Sequence, residues 1–185
     1  MKNKFGFILV NPQLGENIGA SARSLKNFGF SKLHIVSPKL PWPNNKAKAT
    51  SVGAYDIIKR AKVFNNTYDA IKDFNIVVSF SARKRDINKR HISINEFLKI
   101  IKSKKKTKFG LMFGPEASGL SNDDLSLSNF VLQIPTSKKF KSLNLSHSIT
   151  VICYEIFKLT NLNKFQKDIK NIKISSKSKI SSLVF

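Results

Sequence analysis

The sequence is poor in cysteine, in acidic residues and in long apolar runs. Its single Cys excludes a disulfide framework, a zinc site built from cysteines and an iron–sulfur cluster. The first clean apolar run, residues 5–10, is far too short for a membrane span or a signal peptide. The three His residues stand far apart without metal-binding spacing, so no metal site is expected. These absences predict a soluble, cytoplasmic protein without a membrane partner.

Acidic residues are outnumbered by basic ones. Lys and Arg total 33 against 11 Asp and Glu, which gives a formal net charge of +22 and a pI near 10.3. With 41% apolar residues and 15 Phe, the 185-residue chain is too hydrophobic to be a charged disordered polymer. A charge of this size attracts polyanions, because each neutralised phosphate releases a counterion. Nucleic acid is therefore the expected partner.

The positive charge is concentrated in two stretches. Residues 83–108 hold 11 Lys and Arg against two acids, and residues 164–185 hold six Lys against one. The second stretch is rich in Ser and Lys, which predicts a mobile basic tail over 161–185 behind a single domain at 1–160. Residues 83–108 and 164–179 are expected to form a track for phosphates.

Strand-like and helix-like segments alternate along the whole chain. Continuous apolar runs predict buried strands at 5–10, 33–36, 76–80, 109–113 and 130–134. Apolar residues at helical spacing predict helices at 18–28, 54–61, 67–74, 94–101 and 145–159, with a short helix behind Ser121 as its N-cap. This alternation predicts an α/β fold with a mostly parallel sheet and helices on both faces. In such sheets the ligand lies at the carboxyl ends of the strands.

Unusual residues follow four of the predicted strands. After the first strand, Asn17 stands just before a helix and Arg23 lies in its second turn. Arg is the minority cation of this chain, and its planar fork suits a phosphate. The structural alternatives are that Asn17 caps the helix and that Arg23 is merely solvated.

The other three loops combine small residues with charged or amide side chains. They are Ser81-Ala82 followed by the cluster Arg83-Lys84-Arg85, then Gly114-Pro115-Glu116-x-x-Gly119-Leu120, and last Ser142-Leu143-Asn144-Leu145. None matches the glycine pattern of a dinucleotide fold or a P-loop. A solvated loop, an ion pair or helix-dipole partner at Glu116, and helix caps at 142–144 are the structural alternatives.

These loops, in this order, resemble the SPOUT class of RNA methyltransferases and, within it, the SpoU/TrmH family. The matching stretches are Asn17-Ile18-Gly19-Ala20-x-x-Arg23, Phe113-Gly114-Pro115-Glu116-x-x-Gly119-Leu120 and Ser142-Leu143-Asn144-Leu145-Ser146. Residues 51–56, 81–83 and 151–156 look most like the TrmJ branch, which methylates a ribose in the tRNA anticodon loop.

The resemblance implies a deep trefoil knot in the C-terminal half, a homodimer, and S-adenosyl-L-methionine as cofactor. It implies cofactor binding by the following residues: Phe80, Ser81, Ala82, Gly114, Glu116, Gly119, Ile134, Ser142, Leu143, Asn144 and Leu145. It implies catalytic roles for Arg23, Asn17, Ser142 and Asn144, and RNA contacts by Arg23, Arg83, Lys84 and Arg85. The first and last helices are expected to form the dimer surface.

The implied activity is 2′-O-methylation of a cytidine or uridine ribose at position 32 of tRNA. Two alternatives stay open at this point. The substrate could be ribosomal RNA or the tRNA wobble nucleotide, or the chain could be a non-catalytic RNA-binding protein that keeps the scaffold. Because a guanidinium hardly ever deprotonates in a protein, Arg23 is expected to grip an RNA phosphate and stabilise the developing alkoxide, not to act as a base.

Overall fold

Seven strands and seven helices make up the computed structural model, which describes residues 4–83 and 88–170, without the side chains of 160 and 162–170. The strands are Phe5–Val10 (β1), Leu33–Val36 (β2), Lys62–Phe64 (β3), Ile76–Phe80 (β4), His91–Ile92 (β5), Phe109–Phe113 (β6) and Phe130–Leu132 (β7). The helices are Gly15–Asn27 (α1), Asn45–Thr50 (α2), Tyr55–Lys59 (α3), Thr67–Ile71 (α4), Ile94–Ser103 (α5), Asn122–Ser126 (α6) and Leu145–Lys170 (α7).

The strands form one parallel sheet in the order β3-β2-β1-β6-β4-β7-β5. Strands β1 and β6 are buried along their whole length, as continuous apolar runs predict for a sheet covered on both faces. The order places the carboxyl ends of β1, β6, β4 and β7 side by side. The loops that carry the unusual residues therefore meet at one edge of the sheet, as predicted.

Two apolar layers cover the two faces of the sheet. The larger layer includes Phe7, Phe80 and Phe113, with helices α1, α5 and α7 packed over it. The rings of Phe80 and Phe113 stack with their centroids 4.5 Å apart, directly below the loops that follow β4 and β6. The smaller layer lies on the opposite face and includes residues of α4 and α6. The prediction of a parallel α/β sheet with helices on both faces is confirmed.

Three short elements were missed by the sequence analysis, namely α2, β3 and β5. Strand β3 is three residues long, and Lys62 and Val63 are exposed, so it lacks the buried apolar run that marks a strand. Strand β5 has only two residues. The predicted N-cap of α6 is confirmed, since Ser121 accepts a hydrogen bond from the Asp124 amide.

Some element ends also differ from the prediction. Helix α1 begins at Gly15, three residues before the predicted start, and β7 ends at Leu132, so that Ile134 belongs to the following loop. Helix α7 continues to Lys170, beyond the predicted end at Leu159, because no Gly or Pro interrupts residues 145–170. Residues 171–185 of the predicted tail lie outside the described residues. The trefoil knot and the boundary at residue 160 stay predictions.

Within 4–83 and 88–170, no helix is both long and apolar enough to cross a membrane. The same segments contain no group of three or more His, Cys, Asp or Glu side chains that could hold a metal ion. Cys153 is buried in the core, where it packs as a small apolar residue, and burial raises the pKa of its thiol.

His34 is a buried titratable group on β2. Its exposed fraction is 2%, its Nδ1 donates a hydrogen bond to the Ala70 carbonyl at 2.8 Å, and its ring packs against Phe64 and Phe74. Burial lowers the pKa of His34, and the nearby Lys32 and Lys62 lower it further. The unfolded chain therefore binds this proton at a higher pH than the folded chain does.

We predict that the folded state loses stability as the pH falls below about 6.5, and that His34→Gln weakens this dependence. The reason is that the folded chain must keep the buried imidazole neutral while the unfolded chain takes up its proton. The measurement is urea unfolding of both proteins between about pH 7.5 and pH 5. Equal losses of stability in the two proteins would contradict this role of His34.

Candidate functional site

A cavity of about 580 Å³ opens at the carboxyl ends of β4, β6 and β7. Three loops form its walls: the segment after β4, the segment between β6 and α6, and the segment that leads into α7. The lining residues are Phe80, Ser81, Ala82, Arg83, Phe113, Gly114, Pro115, Glu116, Ala117, Ser118, Gly119, Ile134, Lys141, Ser142, Leu143, Leu145 and Ser148. Three of the four loops chosen from the sequence thus enclose one space.

Ten of the eleven predicted cofactor residues line this cavity, and the exception is Asn144. The Asn144 side chain is bonded elsewhere. Its Oδ1 accepts hydrogen bonds from the amide and the hydroxyl of Ser146, at 2.9 and 2.7 Å, and so caps the N-terminus of α7. Its Nδ2 donates to Oδ1 of Asn17 at 2.9 Å. The cap interpretation of Asn144 is therefore correct, and the same side chain also ties α7 to α1.

Asn17 lies in the first turn of α1, not before the helix, and it is buried with 7% exposure. The prediction that Asn17 could be the N-cap is wrong, because Leu14 occupies that position. The Asn17 side chain instead connects two loops. It accepts the hydrogen bond from Asn144 and donates one to Oε1 of Glu116 at 2.8 Å.

The Glu116 carboxylate closes the N-terminus of α1 from about a hundred residues away in sequence. Its Oε2 accepts the Gln13 amide at 2.9 Å, and its Oε1 accepts the Leu14 amide at 3.3 Å. In return, Oε1 of Gln13 accepts the Ala117 amide at 3.0 Å. Since Leu14 cannot cap the helix itself, this remote carboxylate satisfies free amides and faces the positive end of the helix dipole. The helix-dipole interpretation of Glu116 is correct, and the helix concerned is α1.

The loop after β6 depends on two glycines. A Cβ on Gly114 would lie 2.2 Å from the Leu120 amide nitrogen, so only glycine lets the two backbones approach. Gly119 has a φ of 68°, in the left-handed region that favours glycine, and its amide donates to the Pro115 carbonyl at 2.9 Å. Gly114 and Gly119 thus let the backbone of this loop pack tightly beside the cavity.

Arg23 does not line the cavity. It lies on the exposed side of α1, and among the described residues it has no hydrogen-bond or ion-pair partner. Arg83 does line the cavity, whereas the predicted RNA contacts Lys84 and Arg85 lie outside the described residues. The predicted catalytic set is therefore divided: Ser142 borders the cavity, and Asn17 and Asn144 brace its walls.

Two residues that the sequence analysis passed over take part in the site. Gln13 forms the reciprocal hydrogen bonds with the loop of Glu116 and Ala117, and Lys141 lines the cavity. Lys141 could have been suspected, since it directly precedes the Ser142-Leu143-Asn144 stretch. Gln13 gave no signal, because its role depends on a contact with a segment a hundred residues further along the chain.

Comparison with known proteins agrees with the fold. The family model described as the SpoU rRNA Methylase family matches residues 4–154. The chain belongs to this family of methylases.

The similar proteins include methyltransferases named TrmJ. The "tRNA (cytidine-2′-O-)-methyltransferase TrmJ" of Methanocaldococcus jannaschii is 38% identical over 165 residues, which cover 85% of this chain and 69% of the relative. The crystal structure of TrmJ from Z. mobilis ZM4 has a TM-score of 0.79 at 36% identity and covers 83% of this chain and 68% of that one. Two other relatives are named for both cytidine and uridine. The chain spans 61–69% of the length of these three curated relatives.

A more distant structure shares only the fold. The SpoU methyltransferase AviRb from Streptomyces viridochromogenes, solved in complex with the cofactor AdoMet, has a TM-score of 0.67 at 20% identity. It covers 84% of this chain and 57% of that one.

The hydrogen-bonded bridge from Glu116 through Asn17 to Asn144 makes a prediction about stability. Asn17→Ala would remove two hydrogen bonds, the one to Glu116 and the one from Asn144, at about 0.5–1.5 kcal/mol each. Urea unfolding measures the loss. The matched control is Asn27→Ala, at an exposed asparagine near the other end of the same helix. A loss no larger than that of the control would contradict the bridge.

Proposed function

We propose that this chain is an S-adenosyl-L-methionine-dependent methyltransferase that modifies the 2′-hydroxyl of a ribose in tRNA, at the cytidine or uridine of position 32. The observation that carries the proposal is the cavity whose walls are three of the four loops that carry the resemblance, braced by the bridge from Glu116 to Asn144. The TrmJ relatives support the choice of tRNA and of a pyrimidine ribose.

The residues around the cavity fit such a methyl donor. Phe80, Ile134, Leu143 and Leu145 offer apolar side chains to an adenine ring, and the loop at 114–119 offers backbone groups at close range. The two oxygens of Glu116 already accept three hydrogen bonds, so this residue braces the loop. When bound, the donor supplies an electrophilic methyl group on a sulfonium sulfur.

The protein contributes positioning and charge to the transfer. The donor, held by the loops at 80–82, 114–119 and 142–145, would supply its methyl group to the ribose 2′-oxygen, and the hydroxyl proton would pass to a phosphate or to water. Arg23 grips the RNA phosphate beside this hydroxyl and stabilises the developing negative charge on oxygen. Ser142 fixes the donor at the wall of the cavity, while Asn17 and Asn144 are positioning residues.

Arg23 lies outside the cavity of its own chain, which favours a site completed by a second copy. Helices α1 and α7 pack together through a contact of 2.6 Å between the hydroxyls of Ser24 and Thr150. Beside them Tyr154 is 50% exposed and packs edge-on against Phe28. We propose that this pair of helices is the surface of a homodimer, with RNA lying across the junction.

The enzyme is distinguished from a non-catalytic RNA-binding protein by the fate of a labelled methyl group. The purified chain is incubated with methyl-labelled S-adenosyl-L-methionine and unmodified tRNA, and the released nucleosides are separated by mass spectrometry. We expect the label in 2′-O-methylcytidine or 2′-O-methyluridine from position 32. Label on a base, or RNA binding without any transfer, would contradict the proposal, and label only in ribosomal RNA would move it to the other substrate.

Arg23→Ala is expected to lower methyl transfer by about 100-fold or more, because it removes a charged donor that acts on the transition state. The affinity for S-adenosylhomocysteine, measured by calorimetry, should stay unchanged, since Arg23 does not border the cavity. Arg60→Ala, at an exposed arginine on the chain segment after α3, is the matched control. A parallel loss of cofactor affinity would assign Arg23 a structural role.

A mixture of two inactive variants tests whether the site is shared between copies. Ala82→Trp fills the cavity of its own chain but keeps Arg23, whereas Arg23→Ala keeps the cavity. In a mixed dimer with a shared site, one cavity faces an intact arginine, so up to roughly a quarter of the activity returns. No recovery after mixing would place Arg23 and the cavity of the same chain in one site.

A further inference from the structure

Phe140 is the most exposed large apolar side chain in the described part of the chain, at 76%. It lies in the loop between β7 and α7, in the sequence Lys138-Lys139-Phe140-Lys141. The loop is bonded on both sides of the ring: the Phe140 amide donates to the Ser137 carbonyl at 3.2 Å, and the Thr136 hydroxyl donates to the Lys141 carbonyl at 3.2 Å. A turn thus presents an aromatic ring to solvent, where it gains no burial.

This ring stands at the edge of the cavity. The next two residues, Lys141 and Ser142, both line it, and consecutive Cα atoms lie only about 3.8 Å apart. A nucleotide whose ribose hydroxyl faces the cavity carries its base several ångströms further out. The position of Phe140 suits contact with that base or with a neighbouring one.

The charge around Phe140 favours RNA over another protein surface. Three lysines flank the ring, and they would repel the same three lysines if this loop met its counterpart on a second copy. An exposed aromatic ring among cations is the combination by which proteins bind single-stranded nucleic acid, since bases stack on the ring while lysines meet the phosphates. The unpaired bases of an RNA loop offer such a stacking face.

We propose that Phe140 is a stacking platform for an unpaired base of the RNA substrate, at or next to the nucleotide whose ribose enters the cavity. This inference rests on the proposed function and adds the residue that selects an unstacked RNA loop. It assigns Phe140 to substrate binding and leaves the chemistry of transfer to Arg23 and the residues of the cavity.

The test compares Phe140→Ala, Phe140→Leu and Phe140→Trp with the unaltered chain. The first probe is an unmodified tRNA transcript, whose dissociation constant and methylation kinetics are measured. Loss of stacking on one base weakens RNA binding by roughly 5- to 100-fold. We expect this loss for the alanine and leucine variants, chiefly in KM, with recovery in the tryptophan variant because it restores an aromatic face. Affinity for S-adenosylhomocysteine should not change.

The second probe reports stacking directly and needs no methyl transfer. A single-stranded RNA octamer containing 2-aminopurine should lose fluorescence on binding the unaltered chain and keep it with Phe140→Ala. The matched control is Tyr68→Ala, at a ring that is 65% exposed on α4 and does not line the cavity. This control should behave like the unaltered chain with both probes.

Four outcomes would overturn the inference. The first is an RNA affinity of Phe140→Ala within twofold of that of the unaltered chain, and the second is full RNA binding and methylation by the leucine variant. The third is an equal loss of RNA affinity in the Tyr68 control. The fourth is a lower sedimentation mass of Phe140→Ala, which would make the ring a contact between copies. Failure of the unaltered chain to methylate any tRNA would instead refute the proposed function. The octamer measurement would still decide whether Phe140 stacks on a base.

Discussion

The site depends on one hydrogen-bonded bridge that runs from Glu116 through Asn17 to Asn144. The bridge joins three segments that a parallel sheet brings to one edge but does not itself fasten together. Asn17 is buried, Glu116 is half-buried and Asn144 is exposed, so the bridge runs from the interior of the domain to its surface. The same groups complete the N-termini of two helices, because Glu116 bonds amides that lead into α1 and Asn144 caps α7. The hydrogen bonds that complete these two helix ends are therefore the same ones that hold the walls of the cavity together.

The residues that brace the walls of the cavity are not the ones available to act on a substrate. The amides and the carboxylate of the bridge are occupied by each other, whereas Ser142 and Arg83 line the cavity and Arg23 is exposed without a described partner. A transfer reaction that needs positioning and charge, but no acid–base pair or metal, suits such a division. Under the proposed function, the excess of positive charge would serve the approach of a polyanionic substrate, and Phe140 would add contact with a base at the cavity edge.

The sequence predicts those parts of the structure that depend on local patterns. Strands β1 and β6 are found because both are unbroken apolar runs, and the loops after them are found because a parallel sheet collects them at one edge. Strand β3 escapes detection because Lys62 and Val63 at the sheet edge are exposed. The partners of Asn17 and Gln13 also escape, since a hydrogen bond across about a hundred residues leaves no local pattern. The prediction of the cofactor rests on the resemblance to a known family, because composition and spacing alone do not identify it.

The most direct test of the account is a crystal structure of the full chain grown with S-adenosylhomocysteine. The account predicts the ligand in the cavity between the loops at 80–82, 114–119 and 141–145, with the hydrogen bonds from Asn17 to Glu116 and from Asn144 to Asn17 intact. A ligand bound elsewhere would contradict it. So would a cavity that the protein's own side chains fill, or a bridge that must break to admit the ligand.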